Sequence, residues 1–272
     1  MKVIYIAGAG HSGSTLLDLM LNAHPQIISV GELVNLNRKL QFKNLRKKRY
    51  PPCSCGAPSL WQCEFWSRVN AWTLATEGKS IAELDLHPRG HRNGANEIIY
   101  RGISEVSGKK FVVDSSKVPA RLAELLKTKS LDIYPIHLIR NPKGQIYSAI
   151  KKQGGFFKSL LQYEIVNEQV RRHLKSTTHC VVHYEDLVVE PESTLSKLLK
   201  PLGLQFNPRQ LLWAEQVKHL VAGNRVRRQQ QSRLALDNRW ETGLNTLQKL
   251  VIDGGTFRSR RLLGKTGFAL GG

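Results

Sequence analysis

The segment that most constrains the fold is Gly8-Ala9-Gly10-His11-Ser12-Gly13-Ser14-Thr15, which lies between an apolar run at residues 3–7 and a helical pattern at residues 16–21. The spacing G-x-x-x-x-G between a strand and a helix is typical of a phosphate-binding loop. Glycines let the backbone approach an anion closely, and the N–H groups at a helix N-terminus donate to it. The lysine of ATP-binding loops is absent, and Ser14 stands in its place. The loop is therefore predicted to bind an anion with less charge than a triphosphate, and a phosphosulfate fits.

Composition predicts one globular domain with a strongly basic surface. The chain has 272 residues, of which 41% are hydrophobic, and a net charge of +20. Such an excess of positive charge indicates an anionic partner, which could be a nucleic acid, a membrane surface or a nucleotide-like cosubstrate. No apolar run approaches the roughly 20 residues of a membrane span, and no signal-peptide pattern precedes the first strand. We therefore expect a cytoplasmic protein without a transmembrane segment.

The hydrophobic pattern predicts an α/β fold. Strand-like runs alternate with helical patterns, which is typical of a parallel sheet. The predicted strands are residues 3–7, 27–30, 110–114, 133–139 and 179–183. The predicted helices include residues 119–127, 142–152, 191–202 and 240–251. The expected architecture is a P-loop NTPase-like three-layer fold with a central parallel sheet of about five strands flanked by helices. Residues 1–272 are expected to form a single domain, with a helix and loop insertion at about 34–108 and a loose tail at about 264–272.

A second segment carries a candidate anion site. Arg140 follows the fourth predicted strand, Asn141 and Pro142 begin a helix, and Ser148 lies in that helix. Open α/β sheets bind ligands at the carboxyl ends of their strands. A guanidinium fork beside a hydroxyl suits a phosphate monoester. Taken alone, Arg140 could equally be an ion-paired residue at the end of a strand.

Together the two segments resemble those of the sulfotransferases that use 3′-phosphoadenosine 5′-phosphosulfate (PAPS). The chain is most similar to bacterial members, which are related to the carbohydrate and tyrosylprotein enzymes. Shorter segments around Glu32, Tyr184 and Asn224 also resemble that family, and the resemblance spans residues 1 to about 250. It implies PAPS as cosubstrate, adenosine 3′,5′-bisphosphate (PAP) as product, and transfer to a hydroxyl or amine of a small-molecule or glycan acceptor, with no metal. The identity of the acceptor, O- versus N-sulfation and the oligomeric state stay open.

The resemblance also implies the site residues. The residues expected to bind the donor are Gly10, His11, Ser12, Gly13, Ser14, Thr15, Arg140, Ser148, Tyr184, Gly223, Asn224 and Arg225. Glu32 is expected to act as the general base. Many relatives carry Lys or Arg where this chain has His11, so the role of stabilising the leaving group is open between His11 and Lys117. Candidate walls of an acceptor pocket are residues 154–157 and the aromatic residues Trp61, Phe65, Trp66 and Trp72.

Three cysteines lie close together in the sequence, at Cys53, Cys55 and Cys63. The paired C-x₂-C spacing of zinc sites is missing, and no fourth ligand is evident from the sequence. We therefore interpret them as part of a local turn and its packing, although metal binding stays open.

Two other classes of function compete with sulfuryl transfer. A P-loop kinase or NTPase would require a lysine in the loop and an aspartate that binds Mg²⁺. A basic nucleic-acid-binding protein would account for the net charge, but the sequence contains no compact recognition motif, so no specific nucleic acid is expected.

Overall fold

The description rests on a computed structural model, which describes residues 1–41, 51–88, 94–256 and 267–269. Within these residues one sheet contains six strands: β1 (Lys2–Ala7), β2 (Ile27–Ser29), β3 (Phe111–Lys117), β4 (Asp132–Ile139), β5 (His179–His183) and β6 (Gly267–Ala269). The strand order is β2-β3-β1-β4-β5-β6. Strands β1 to β5 are all parallel, and β6 is antiparallel to β5. The predicted parallel sheet of about five strands is confirmed.

Helices flank the sheet on both faces. They are α1 (Ser14–Asn22), α2 (Leu36–Gln41), α3 (Glu64–Glu77), α4 (Ala95–Ser107), α5 (Pro119–Lys127), α6 (Pro142–Gln153), α7 (Phe156–Leu174), α8 (Tyr184–Val189), α9 (Pro191–Leu199), α10 (Trp240–Gly243) and α11 (Thr246–Gly255). Short 3₁₀ helices lie at Leu33–Asn35, Lys200–Leu202, Pro208–Leu212 and Arg225–Arg228. Helices α5 and α6 begin with proline at the first helical position, where its fixed φ angle and missing N–H are tolerated.

The central strand β1 shows why both faces of the sheet are covered. Successive side chains of a strand point to opposite faces. Val3 and Tyr5 therefore belong to one hydrophobic cluster, and Ile4 and Ile6 belong to the other. All four side chains are fully buried. Because both faces are apolar, the run at residues 3–7 is continuous rather than alternating, as is typical of a parallel sheet between two layers of helices.

Three segments differ from the sequence-based expectation. Helix α7 was not predicted, because its apolar residues do not mark a single face: Phe157, Leu161 and Ile165 are exposed, whereas Ser159 and Asn167 are buried. The helix predicted at 240–251 is two helices, since Asn245 forms a capping box with Gln248 and starts α11 anew. In the expected loose tail, Gly267–Ala269 pairs with β5, whose edge offers unpaired backbone groups.

The inserted region between β2 and β3 contains α2, α3 and α4. Residues 42–50 and 89–93 of that region, and residues 264–266 and 270–272 of the tail, lie outside the described residues.

Candidate active site

A cavity of about 1030 Å³ opens at the carboxyl ends of the parallel strands. Strand β1 ends there between β3 and β4, which is the point where the strand order reverses and where α/β sheets bind ligands. Every predicted site residue except Ser12 lines this cavity: Gly10, His11, Gly13, Ser14, Thr15, Glu32, Lys117, Arg140, Ser148, Tyr184, Gly223, Asn224 and Arg225. Ser12, in the same loop, is buried instead. The fold therefore gathers residues from segments that are far apart in the sequence.

The loop after β1 requires glycine at two positions because other groups approach its backbone closely. A Cβ on Gly8 would lie 2.3 Å from the carbonyl oxygen of Leu138 in β4. A Cβ on Gly13, whose φ is +93°, would lie 2.4 Å from Cδ2 of Tyr184. The side-chain amide of Gln145 on α6 donates to the carbonyl oxygen of Gly10. The loop is thus held against β4, α6 and α8 in a shape that leaves the N-terminus of α1 facing the cavity.

Arg140 connects the two predicted anion-binding segments. Its Nη1 donates to the carbonyl oxygen of His11 at 3.1 Å and lies 3.5 Å from Oγ of Ser148. Its Nη2 lies 3.3 Å from a carboxylate oxygen of Asp237. The guanidinium lies over the ring of Tyr184, 4.5 Å from the ring centroid. Four groups therefore fix a side chain that is largely buried.

Asp237 was not predicted from the sequence. Hydrogen bonds from Arg239 and Arg140 hold the pKa of its carboxyl group well below its usual range. The residue lies 97 positions after Arg140, between helices, and no motif surrounds it. Its carboxylate lies beside the guanidinium of Arg140, at 3.3 Å from Nη2.

Glu32 and Lys117 form an ion pair at the ends of neighbouring strands. Nζ of Lys117 lies 2.6 Å from Oε1 of Glu32 and donates to the carbonyl oxygen of Ser115 at 3.1 Å. The second carboxylate oxygen of Glu32 accepts from Nδ2 of Asn35 at 3.0 Å. The φ of Lys117 is +65°, a conformation that a non-glycine residue adopts only where its surroundings enforce it.

A buried network lies below Lys117 and holds the end of β3. Asp114 accepts from the hydroxyl of Tyr100 at 2.7 Å, from Nε of Arg121 at 3.0 Å and from the backbone N–H of Ser116 at 2.9 Å. The side chains of Asp114 and Arg121 are both fully buried. The carboxylate of Asp114, on the strand next to β1, therefore accepts its hydrogen bonds from other groups of the protein.

His11 lies in the cavity wall. Burial lowers its pKa, and the positive charges of Lys152, Lys117 and Arg140 lower it further. The lowered pKa favours the neutral imidazole, which can still donate one N–H, and Lys117, Lys152 and Arg140 carry the positive charge around it. Lys152, at the end of α6, was not predicted as a site residue, although its pair with Lys151 is visible in the sequence.

The segment Gly223-Asn224-Arg225 closes one side of the cavity. The backbone N–H of Asn224 donates to Oγ1 of Thr15 at 3.0 Å, across 209 residues of sequence. Nζ of Lys152 donates to Oδ1 of Asn224 at 3.2 Å. This segment therefore contacts both the loop and α6, and all three of its residues line the cavity.

The aromatic residues considered as acceptor walls lie elsewhere. Trp66 is fully buried in the core, and Phe65 stacks on the ring of His219 with centroids 4.8 Å apart. Neither these residues nor Trp61, Trp72 and residues 154–157 line the cavity. Its aromatic lining is instead Tyr147, Tyr184 and Trp213.

In the described part of the chain, no helix combines the length and apolar character needed to cross a membrane.

Comparisons with known proteins concern the family and the fold of the chain. The family model described as "Sulfotransferase family" matches residues 4–208, which is most of the chain. No curated protein matches the sequence. Among solved structures, the chain is similar to the sulfotransferase domain from the curacin biosynthetic pathway, with 18% identity, a TM-score of 0.58, and 93% of this chain and 96% of that chain covered. It is also similar to the sulfotransferase domain of the Synechococcus olefin synthase, with 18% identity, a TM-score of 0.55, and coverage of 95% and 94%.

A sulfotransferase from Mycobacterium avium is similar as well, with 12% identity, a TM-score of 0.50, and coverage of 98% of this chain and 78% of that chain. At these identities the likeness concerns the fold, and it agrees with the predicted P-loop-like architecture. The family model, which covers well over half of the chain, carries the assignment. The chain therefore belongs to the sulfotransferase family.

Proposed function

We propose that this protein transfers the sulfuryl group of PAPS to a hydroxyl or amine of a small-molecule or glycan acceptor and releases PAP. The observation that carries the proposal is the hydrogen bond from Arg140 to the carbonyl oxygen of His11, which joins two anion-binding segments at one cavity. A donor with a phosphosulfate at one end and a phosphate at the other would use both segments at once. Seven lysines and arginines line the cavity against two carboxylates, which favours such a ligand.

The donor would be held at its two ends by different elements. The 5′-phosphosulfate would accept hydrogen bonds from the loop and the first turn of α1, where the helix dipole favours an anion. The 3′-phosphate would be bound by Arg140 and Ser148, taking over the guanidinium hydrogen bonds that Asp237 now accepts. Tyr184, which already lies over Arg140, would contact the adenine.

Glu32 and Lys117 would carry the transfer step. Glu32 would accept the proton of the acceptor group, whose oxygen or nitrogen attacks the sulfur. The bond between sulfur and the bridging oxygen breaks, and that oxygen leaves with the electron pair on PAP. Lys117 and the backbone N–H groups of the loop would stabilise the negative charge that develops there. Because Lys117 contacts Glu32 at 2.6 Å, the base and the leaving group would lie on either side of one ammonium group.

A kinase would need a lysine in the loop and an aspartate that binds Mg²⁺, and this site does not meet either requirement, which favours sulfuryl transfer. Ser14 replaces the lysine that contacts the β- and γ-phosphates of ATP. Asp114, at the end of the strand next to the loop, is bonded to Arg121, Tyr100 and Ser116 and is fully buried. It therefore does not reach the cavity as a ligand for Mg²⁺.

The first test measures binding of PAP, AMP and Mg-ATP by calorimetry. We expect PAP to bind more tightly than AMP, which lacks the 3′-phosphate, and Mg-ATP to bind poorly. Arg140→Ala should weaken PAP binding by about 1.5–3 kcal/mol, or roughly ten- to a hundredfold, because a charge-assisted hydrogen bond is lost. Binding of AMP should change much less. Arg172→Ala is the matched control, since this exposed arginine of α7 lies outside the cavity.

The second test follows transfer of ³⁵S from labelled PAPS to acceptors in a lysate fractionated by size. Label in an acceptor fraction supports the proposal.

Binding of Mg-ATP without binding of PAP would favour a kinase, and salt-sensitive binding of random DNA without binding of PAP would favour a nucleic-acid-binding protein. An equal loss of AMP and PAP affinity in Arg140→Ala would remove Arg140 from the 3′-phosphate site.

A further inference from the structure

A cluster of four metal-ligating side chains lies outside the cavity. Cys53, Cys55, Cys63 and His219 place one ligand atom each within 4.8 Å of all the others. Sγ of Cys63 lies 3.2 Å from Nδ1 of His219 and 3.6 Å from Sγ of Cys55. In a tetrahedral zinc site, bonds of about 2.3 Å to sulfur and about 2.0–2.1 Å to nitrogen separate the ligand atoms by roughly 3.5–3.8 Å. The four side chains thus surround a space of the size that one zinc ion requires.

The sequence showed only three of these ligands, because His219 lies 156 residues after Cys63. The backbone around the first cysteines forms a tight turn: the N–H of Gly56 donates to the carbonyl oxygen of Cys53 at 3.2 Å, and φ of Gly56 is +99°. Cys63 follows as the residue that precedes α3. The turn and the helix start therefore bring three thiols to one point.

His219 is held towards this point by contacts on both of its sides. Its carbonyl oxygen accepts from Nε1 of Trp66 at 2.9 Å, and its ring stacks on Phe65. Oγ of Ser54, between the first two cysteines, donates to the carbonyl oxygen of Lys218 at 2.9 Å and accepts from the N–H of Leu220 at 2.7 Å. The residues on either side of His219 are thus bonded to the cysteine turn itself.

We propose that Cys53, Cys55, Cys63 and His219 bind one structural zinc ion. Three soft thiolates and an imidazole select zinc over the hard cations magnesium and calcium, which prefer oxygen ligands. All four positions would be filled by the protein, which is typical of a structural rather than a catalytic site. Each thiol gives up its proton to the solvent on binding, so zinc affinity decreases as the pH falls. Cys55 is exposed and offers the ion a path into the site, while Cys53 and Cys63 are buried.

The ion would tie the inserted region to the segment that closes the cavity. The backbone N–H of Val221 donates to the carbonyl oxygen of Val30 at 2.8 Å, next to Gly31 and Glu32. A Cβ on Gly31 would lie 2.6 Å from the carbonyl oxygen of Ala222, so these two backbones pack directly. His219 lies four residues before Gly223, the first residue of the closing segment. Zinc would therefore fix the closing segment relative to the end of β2, without contacting the donor.

The test uses the full chain, produced without a polyhistidine tag and purified under reducing conditions. We expect about one zinc per chain by elemental mass spectrometry, and restoration of that ratio when zinc is added back after treatment with a chelator. Cobalt bound in place of zinc should show the strong visible absorption of tetrahedral thiolate coordination. Cys55→Ser should lower zinc affinity at least tenfold, and its exposed position makes loss of the fold a minor concern. Cys180→Ala is the control for thiol content, because Cys180 lies in β5, away from the cluster.

Zinc content does not depend on the donor, so this test and the test of sulfuryl transfer can fail separately. The proposal is overturned if the reduced wild-type chain binds no zinc, if Cys55→Ser and Cys63→Ser both retain it with unchanged affinity, or if Cys180→Ala loses it equally. It is also overturned if mass spectrometry finds a disulfide between Cys55 and Cys63 whose reduction does not allow zinc to bind.

Discussion

Replacing Gly13 by alanine should destabilise the fold in two ways, through backbone strain and through a steric clash with Tyr184. Any non-glycine residue at a φ of +93° loses about 1–2 kcal/mol to backbone strain. The new Cβ would also lie 2.4 Å from Cδ2 and 3.1 Å from Cε2 of Tyr184, and the shorter of these distances is at least about 1 Å less than an ordinary carbon contact. Such overpacking costs about 1–3 kcal/mol more. We therefore expect Gly13→Ala to lower the free energy of unfolding by about 2–5 kcal/mol in urea denaturation.

Gly203→Ala is the matched control, because φ of Gly203 is +69° and a Cβ there meets no atom within 4 Å. It should cost only the strain of about 1–2 kcal/mol. Gly13→Ala should also weaken PAP binding at least tenfold, since Tyr184 must move away from Arg140, while Gly203→Ala should leave it unchanged. In a Tyr184→Ala background the cost of Gly13→Ala should fall to that of the control. An equal cost of Gly13→Ala in both backgrounds would refute the reasoning.

Three further results are expected. Glu32→Gln should keep PAP affinity but lower ³⁵S transfer by about 10²- to 10⁴-fold; a fully active variant would exclude Glu32 as the base. Burial and nearby positive charges lower the pKa of His11, and an anion bound beside it would raise that pKa again. As the pH falls from about 8 to about 6, the PAP affinity of the wild type should therefore increase relative to that of His11→Asn, and parallel pH profiles of the two affinities would contradict this. Asp18 is a buried residue of α1, and its burial raises the pKa of its carboxyl group to about 7. Between about pH 4 and about pH 7 the folded chain therefore keeps a proton on Asp18 that the unfolded chain has lost. As the pH rises from about 5 to about 8, the free energy of unfolding of the wild type should therefore fall by up to about 3 kcal/mol relative to that of Asp18→Asn. A difference between the two chains that stays constant with pH in urea denaturation would contradict this.

The parts of the site that could be predicted depend on local sequence. A glycine-rich turn between an apolar run and a helix predicts the loop between β1 and α1, because strand, turn and helix each leave a short-range pattern. Asn141 and Pro142 likewise mark the start of α6 and so place Arg140 at the end of β4. The close approach of the Tyr184 ring to the backbone of Gly13 is different, since nothing near either residue in the sequence indicates that the two meet.

The sequence by itself determined the parallel α/β sheet, the glycine-rich loop and the resemblance to the sulfotransferases, since each rests on short-range patterns of neighbouring residues. Only the tertiary structure decided that Asp237 lies beside Arg140, that Lys152, Lys117 and Arg140 lower the pKa of His11, and that His219 joins Cys53, Cys55 and Cys63. The physical reason is that charge interactions and metal ligation depend on distance in space. For residues far apart in the sequence, packing of the folded chain sets that distance.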